Sequence, residues 1–252
     1  MHRQGRDVIM KNFIDAQMKV HDTRTPQVII IGAGGHGRVI ADIVEKCGHM
    51  VLGFLDDNTL ASPHPHKLLG TIQDVKNYKQ QASFILGIGH NPTRKKLAEA
   101  LEALNVSWYT AVHPNAVIAN TATIGEGTVV MAQAVINPGS KVSKHCIINT
   151  AAVVEHDNTI CNYVHISPNA ATGGNVTVGV LTHVGIGATI KNNINIASET
   201  IIGAGAVVVK DIIVPGVYIG IPATKKEVNA GNGEEKIYLN VIECSHTSSK
   251  SK

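Results

Sequence analysis

From Val112 to Val214 every sixth residue is Val or Ile, eighteen positions in succession with Thr172 as the one exception. Two positions earlier the side chain is often small, as at Ala134, Ser140, Cys146, Ala152, Ala170, Ala188 and Ala206. An α-helix needs apolar residues every three or four positions, and a hairpin sheet needs turns between runs, so neither accommodates an unbroken period of six. A β-helix does. Short strands turn at every sixth residue, three faces close a coil of eighteen, and coils stacked about 4.8 Å apart bond to one another while the aliphatics ladder inside. The series predicts six coils. So thin a core agrees with the composition: aromatics make up 4% of the 252 residues and glycine numbers 24, leaving Val, Ile and Ala to fill the interior.

Upstream the pattern changes. In QVIIIGAGGHGRVIADIVEKCG the apolar run from Val28 to Ile31 stops at Gly32 and a helical pattern follows, which reads as strand, tight turn and helix. Gly32, Gly34 and Gly37 match GxGxxG, where missing side chains permit a sharp turn and let phosphates approach the helix N-terminus. A second strand, MVLGFLDD, ends in Asp56 and Asp57 about twenty residues on, where a dinucleotide fold places an acid on the ribose. NAD is the first reading of such a turn. Only about 80 residues separate Gln27 from the repeats, however, too few for two mononucleotide halves and a substrate domain. A half-Rossmann domain holding one nucleotide fits. A third strand, ASFILGIGHN, ends at Gly89 beside the same crevice, and PTRKKLAEALEAL places Leu97, Leu101 and Leu104 on one helical face. A short strand near Trp108 and Tyr109 leads into the repeats. The expected organisation is an N-terminal extension (1–25), an α/β half-Rossmann domain (26–107), a parallel β-helix (108–224) and a tail (225–252) in which GNGEEKIYLNVIECSHTSSKSK could add a short strand.

Several classes of function are disfavoured. Twenty-two basic and 19 acidic residues give a net charge of +3 without a long basic run, which argues against a nucleic-acid footprint. No stretch approaches the roughly 18 to 20 apolar residues of a membrane span, and the opening MHRQGRDVIMKNF lacks the apolar core of a signal peptide, so a cytoplasmic protein is expected. Cys47, Cys146, Cys161 and Cys244 form no CxxC and no zinc-type spacing with histidine; neither a disulfide framework nor a metal is expected.

In their order between Gln27 and Lys225, IIIGAGGHGRVIADI, FLDD, ILGIGHNPTRKKLAEAL, NTAAVVEHD and VHIS resemble the NeuD/PglD-type family of sialic-acid O-acetyltransferases and UDP-4-amino-sugar N-acetyltransferases. The resemblance implies a left-handed β-helix, a homotrimer, a nucleotide sugar in the first domain, and acetyl-CoA held between subunits. It puts Gly34, Gly35 and His36 near the diphosphate, Asp56 and Asp57 near the nucleoside, and Gly89 near the same ligand. It puts Asn149, His165 and Gly174 near the thioester or pantetheine, and the column of Ile186 and Ala204, eighteen residues apart, completes the acetyl-CoA candidates. The uridine comes from the resemblance alone.

The resemblance also singles out His156, in VVEHDN, as the catalytic base. An imidazole, with an ordinary pKa near 6.5, accepts near neutrality the proton that an amine or hydroxyl loses on attacking a thioester. Asp157 stands where the family usually has Glu, and a carboxylate on the other ring nitrogen fixes the tautomer and stabilises the imidazolium. Glu155 is the alternative partner. His165 lies nine residues after His156, half a coil around the axis, so a site using both is expected between subunits. Cys161 carries no evident activating histidine, which argues against a covalent acyl-enzyme. The expected reaction is direct acetyl transfer to the amine of a nucleotide-linked amino sugar. A sialic-acid hydroxyl as acceptor, a non-catalytic nucleotide-binding trimeric module and an NAD-linked enzyme are the alternatives.

Overall fold

The computed structural model describes residues 26–58, 60 and 65–227; the expectations for the N-terminal extension and for a strand in the tail lie outside the described residues. The chain runs through β1 (Gln27–Ile31), α1 (Gly35–Lys46), β2 (Met50–Leu55), β3 (Leu68–Gly70), a 3-10 turn (Ile72–Asp74), α2 (Val75–Tyr78), β4 (Ser83–Leu86) and α3 (Asn91–Glu102). The four strands are parallel in the order β3-β2-β1-β4. The direction of winding reverses between β1 and β4, so the crevice of this half-Rossmann sheet opens past the carboxyl ends of those two strands.

Alternate residues of β1 serve opposite faces. Val28 and Ile30 pack with Phe54 and Ile85 under Ile40, Ala41 and Val44 of α1. Ile29 and Ile31 pack the other way, with Phe84, Leu86, Ala98 and Leu101. The first cluster also takes in Ala111, Val129 and Ile147 from the repeats, so the two halves share a core instead of a flexible joint. Two local expectations shift. Leu104 lies beyond α3 and is exposed, and the short strand near Trp108 contracts to a single bridge to Phe84.

From Ala111–Val112 to Val207–Val208, seventeen two-residue strands recur every six residues in three parallel sheets. Neighbouring strands are eighteen residues apart, as in Ile147, His165, His183 and Ile201. The inward ladder from Val130 to Val208 is buried, and Thr172 fits it by donating its hydroxyl to the Val153 carbonyl at 3.3 Å. Each corner passes through left-handed backbone: every sixth residue from Gly127 to Gly205 has positive φ, including His145, Asp157, Tyr163 and Leu181. Such backbone suits glycine, and the stacked coils impose it on the other side chains.

The ladder stops one rung early. Val214 is exposed, and Ile212, bridged to Ile196, takes the core position. The final coil is two residues short, since Ile201 pairs with Val217, sixteen residues on. The turn at Pro215 and Gly216 ends the six-residue rhythm, and Val217–Ile219 closes as an antiparallel hairpin with Thr224–Lys225.

Candidate active site

Two kinds of glycine build the crevice. Gly32 has a φ of +107°, and a Cβ on Gly37 or Gly87 would run into the Gly32 carbonyl, so these positions serve the close packing of α1 and β4 against the turn. At Gly34, Gly35 and Gly89 a Cβ would meet nothing within 4 Å. These three border open space. Among the described residues no side chain caps α1, whose first-turn N–H groups lack intrahelical partners, an arrangement that suits a phosphate. Asp56 shapes the turn from behind: its Oδ2 accepts from the Ala33 N–H at 2.7 Å and its Oδ1 from the Asn58 N–H at 2.8 Å. Asp57 is exposed beside it and accepts from the Ile72 N–H at 3.1 Å. One acid assigned to the nucleoside is thus already engaged in holding the glycine turn.

His36 lies in the first turn of α1 with its Nε2 buried and without a hydrogen-bond partner. Burial, and then the Arg94 cation, pushes its pKa down to about 4. It meets a ligand as a neutral imidazole.

On the repeats, Asn149, His165, Ile186 and Ala204 line one open groove of about 360 Å³, together with Ser167 and His183. The eighteen-residue register stacks the His165 and His183 rings, with centroids 4.8 Å apart and planes 17° apart. The Asn149 amide donates to His165 Nε2 at 3.0 Å, and the Ser167 hydroxyl lies 2.8 Å from His183 Nε2. Burial, then His183, Arg94 and His36, holds His165 well below the usual imidazole range; burial and Arg94 bring His183 to about 4. His165 is therefore neutral, with its proton on Nδ1, which faces the Gly89 backbone without a well-formed hydrogen bond. The groove and the crevice bordered by Gly34, Gly35 and Gly89 adjoin there.

His156 and Asp157 stand at a different corner, between strands Val153–Val154 and Thr159–Ile160. His156 Nδ1 and Asp157 Oδ2 are 2.9 Å apart. The shorter carboxylate reaches because Asp157 occupies the left-handed corner position. Glu155 is turned to another task, accepting from the His156 backbone N–H at 3.1 Å. Neighbouring coils leave a slot for the pair. A Cβ on Gly174 would lie 2.5 Å from His156 Cε1 and Nε2, and one on Gly139 would run into Asp157 Oδ1. Gly174, expected near the thioester or pantetheine, lies against the imidazole and does not line the groove. With Nδ1–H given to Asp157, Nε2 is left as an exposed acceptor, the arrangement of a general base.

Sequence reasoning missed three participants. His183 had a signal, since it follows His165 by one coil. Asn91 and Arg94 had only their spacing of three on a helix that looks solvent-facing.

A family profile described as the PglD N-terminal domain matches residues 27–101. A UDP-N-acetylbacillosamine N-acetyltransferase of Bacillus subtilis (strain 168) is 37% identical over 110 residues, 42% of this chain and 51% of that protein, so the match spans about half the length of the curated relative. The acetyltransferase domain of PglB from Neisseria gonorrhoeae FA1090, also solved in complex with acetyl coenzyme A, superposes with a TM-score of 0.77 at 36% identity, covering 80% of this chain and all of that one. PerB from Caulobacter crescentus, solved with CoA and GDP-perosamine, gives a TM-score of 0.77 at 33% identity over 82% of this chain and all of that one.

Proposed function

The chain belongs to the NeuD/PglD-type family of sugar acyltransferases, built as an α/β domain followed by a left-handed β-helix, and from that premise we propose that it moves the acetyl group of acetyl-CoA onto the amine of a UDP-4-amino-sugar. One observation supports this reading most. The opening bordered by Gly34, Gly35 and Gly89 and the groove of Asn149, His165, Ile186 and Ala204 adjoin at His165 within one protomer. A nucleotide with its diphosphate on the α1 N-terminus extends its sugar toward the groove, where the thioester arrives along the column of Ile186 and Ala204. The similarity to a UDP-N-acetylbacillosamine N-acetyltransferase favours an amine acceptor and a uridine nucleotide. The setting is cytoplasmic, and the product is a building block for glycans.

The amine attacks the thioester carbonyl, its proton passes to Nε2 of His156, and the C–S bond breaks to release CoA thiolate, which recovers a proton from the imidazolium. Asp157 fixes the tautomer and stabilises that imidazolium. His156 lies at a different corner from the groove of its own protomer. The base is therefore supplied by a neighbouring subunit of a homotrimer, in which one prism's His156 corner meets the next prism's groove.

The test incubates the protein with acetyl-CoA and a panel of UDP- and GDP-linked 4-amino-sugars and sialic acids, following CoA release and product mass. Acetylation of a UDP-linked amine is expected. An ester on sialic acid would move the acceptor to a hydroxyl, and the absence of both transfer and acetyl-CoA binding would overturn the reading in favour of a non-catalytic nucleotide-binding module.

A further inference from the structure

Arg94 on α3 is 1% exposed, and all five of its N–H donors go to neutral oxygens. Burial pushes its pKa down to about 10. A buried cation without a counter-charge is costly, and an apolar side chain would fill the same space with less penalty. What the cation does follows from where its bonds go.

Nε donates to the His145 carbonyl at 2.8 Å and Nη2 to the Tyr163 carbonyl at 2.9 Å and to Asn91 Oδ1 at 2.7 Å. Asn91 in turn donates to the carbonyls of Leu181 and Thr182 at 3.0 and 3.1 Å. His145, Tyr163 and Leu181 form one column of left-handed corners in successive coils. Asn91 and Arg94, three apart on one helix face, therefore grip three coils at once. The remaining nitrogen, Nη1, donates to the carbonyls of Ile88 and Gly89 at 3.0 and 3.1 Å, and Gly89 borders the nucleotide crevice.

We propose that Arg94 is the positioning residue of the transfer site, locking the Ile88–Gly89 lip of the nucleotide crevice to the coils that carry the acetyl-CoA groove. The inference rests on the ligand assignments made under Proposed function. A planar fork with five fixed donors suits this task, whereas a lysine ammonium offers three donors from a point. The same cation reaches His36, His165 and His183. Among the described residues, the charged groups facing these three rings are Arg94 and His90 from α3 and its approach, His36 from α1 and the imidazoles themselves, with no carboxylate among them. Burial first, and then this cation, keeps all three rings neutral, and His165 keeps its Nε2 as the acceptor of the Asn149 amide.

Arg94→Lys keeps a charge without the fork, and Arg94→Gln removes the charge. Both are compared with the wild-type full chain where circular dichroism and sedimentation show the native state. A misplaced lip is expected to weaken UDP binding and lower kcat by about 10²-fold, with the KM for acetyl-CoA moving by less than about threefold. By NMR, His36, His165 and His183 are expected to protonate at higher pH in Arg94→Gln than in Arg94→Lys. Wild-type UDP affinity and kcat in folded Arg94→Lys would overturn the proposal. So would kcat, both KM values and the melting temperature failing in step with identical imidazole titrations. If neither variant folds, Asn91→Ala, which leaves four of the five Arg94 bonds, carries the test. A smaller loss of UDP affinity and kcat is expected there, and wild-type values would overturn the proposal. UDP binding and imidazole titration need no acetyl transfer, so a wild-type protein that binds UDP but transfers nothing would remove the enzymatic reading and leave this test standing.

Discussion

Gly174→Ala adds one methyl group opposite His156. The new Cβ would lie 2.5 Å from both Cε1 and Nε2 of the imidazole, whereas carbon contacts are comfortable from about 3.5 Å, so the ring must retreat by about 1 Å. It is free to do so, since the His156 side chain is 60% exposed and Gly174 does not occupy left-handed backbone. The effect on stability is therefore expected to stay within about 0.5 kcal/mol. Catalysis has less tolerance. Retreat breaks the 2.9 Å contact with Asp157 and carries Nε2 away from the acceptor amine. A displacement of about 1 Å costs up to about 10²-fold in rate, equivalent to roughly 2.7 kcal/mol of barrier. The assay is the initial rate of CoA release at saturating acetyl-CoA and UDP-amino sugar, with a thermal melt of the same sample. A lower kcat at an unchanged melting temperature is expected. Wild-type kcat would refute the reasoning, and a large fall in melting temperature would assign Gly174 to coil packing instead of to the imidazole.

Acid should destabilise the fold before its carboxylates dominate. His36, His145 and His183 are brought to about 4 in the folded chain, burial being the largest cause in each. Their unfolded forms titrate near 6.5, so between these values the unfolded chain binds more protons and stability is lost as the pH is lowered, by up to roughly 3 kcal/mol per ring near the lower limit. Urea midpoints should be level above pH 7 and decline towards pH 5; a midpoint that rises on acidification contradicts the burial assigned to these rings. Gly34→Val places its side chain in open space, so UDP affinity should fall at least about tenfold with the melting temperature held or raised, and unchanged UDP affinity by calorimetry would remove Gly34 from the nucleotide site. In the proposed homotrimer, assemblies mixed from His156→Ala and Gly34→Val subunits should recover activity that neither parent has, because one supplies the base and the other the crevice. Mixed trimers as inactive as the parents would mean that His156 serves its own protomer.

The β-helix was legible because a ladder of identical inward positions forces a strict period on the sequence. The same arithmetic brings Ile186 and Ala204, one whole coil apart, to one groove, which Asn149 and His165, singled out by the resemblance, also line. The left-handed corners were not legible: Gln133, Tyr163, Leu181 and Glu199 share the conformation without sharing any chemistry. The left-handed corner at Asp157 decides which carboxylate reaches His156, and so Asp157 and Glu155 could not be separated by composition or spacing. The engagement of Asp56 with the Ala33 N–H depends on the register of two parallel strands, which leaves no trace in either segment. Arg94, in PTRKKL, has the surroundings of an exposed helical arginine; only the meeting of α3 with three coil corners makes it a buried one. The shortened last coil was hidden because Val214 keeps the period while Pro215 ends it.

Turnover by His156→Ala tests the central claim most directly, measured at saturating acetyl-CoA with UDP and CoA binding followed by calorimetry on the same folded sample. Loss of a general base predicts a fall in kcat of about 10² to 10⁴-fold with both affinities unchanged. Turnover at the wild-type rate would contradict the account.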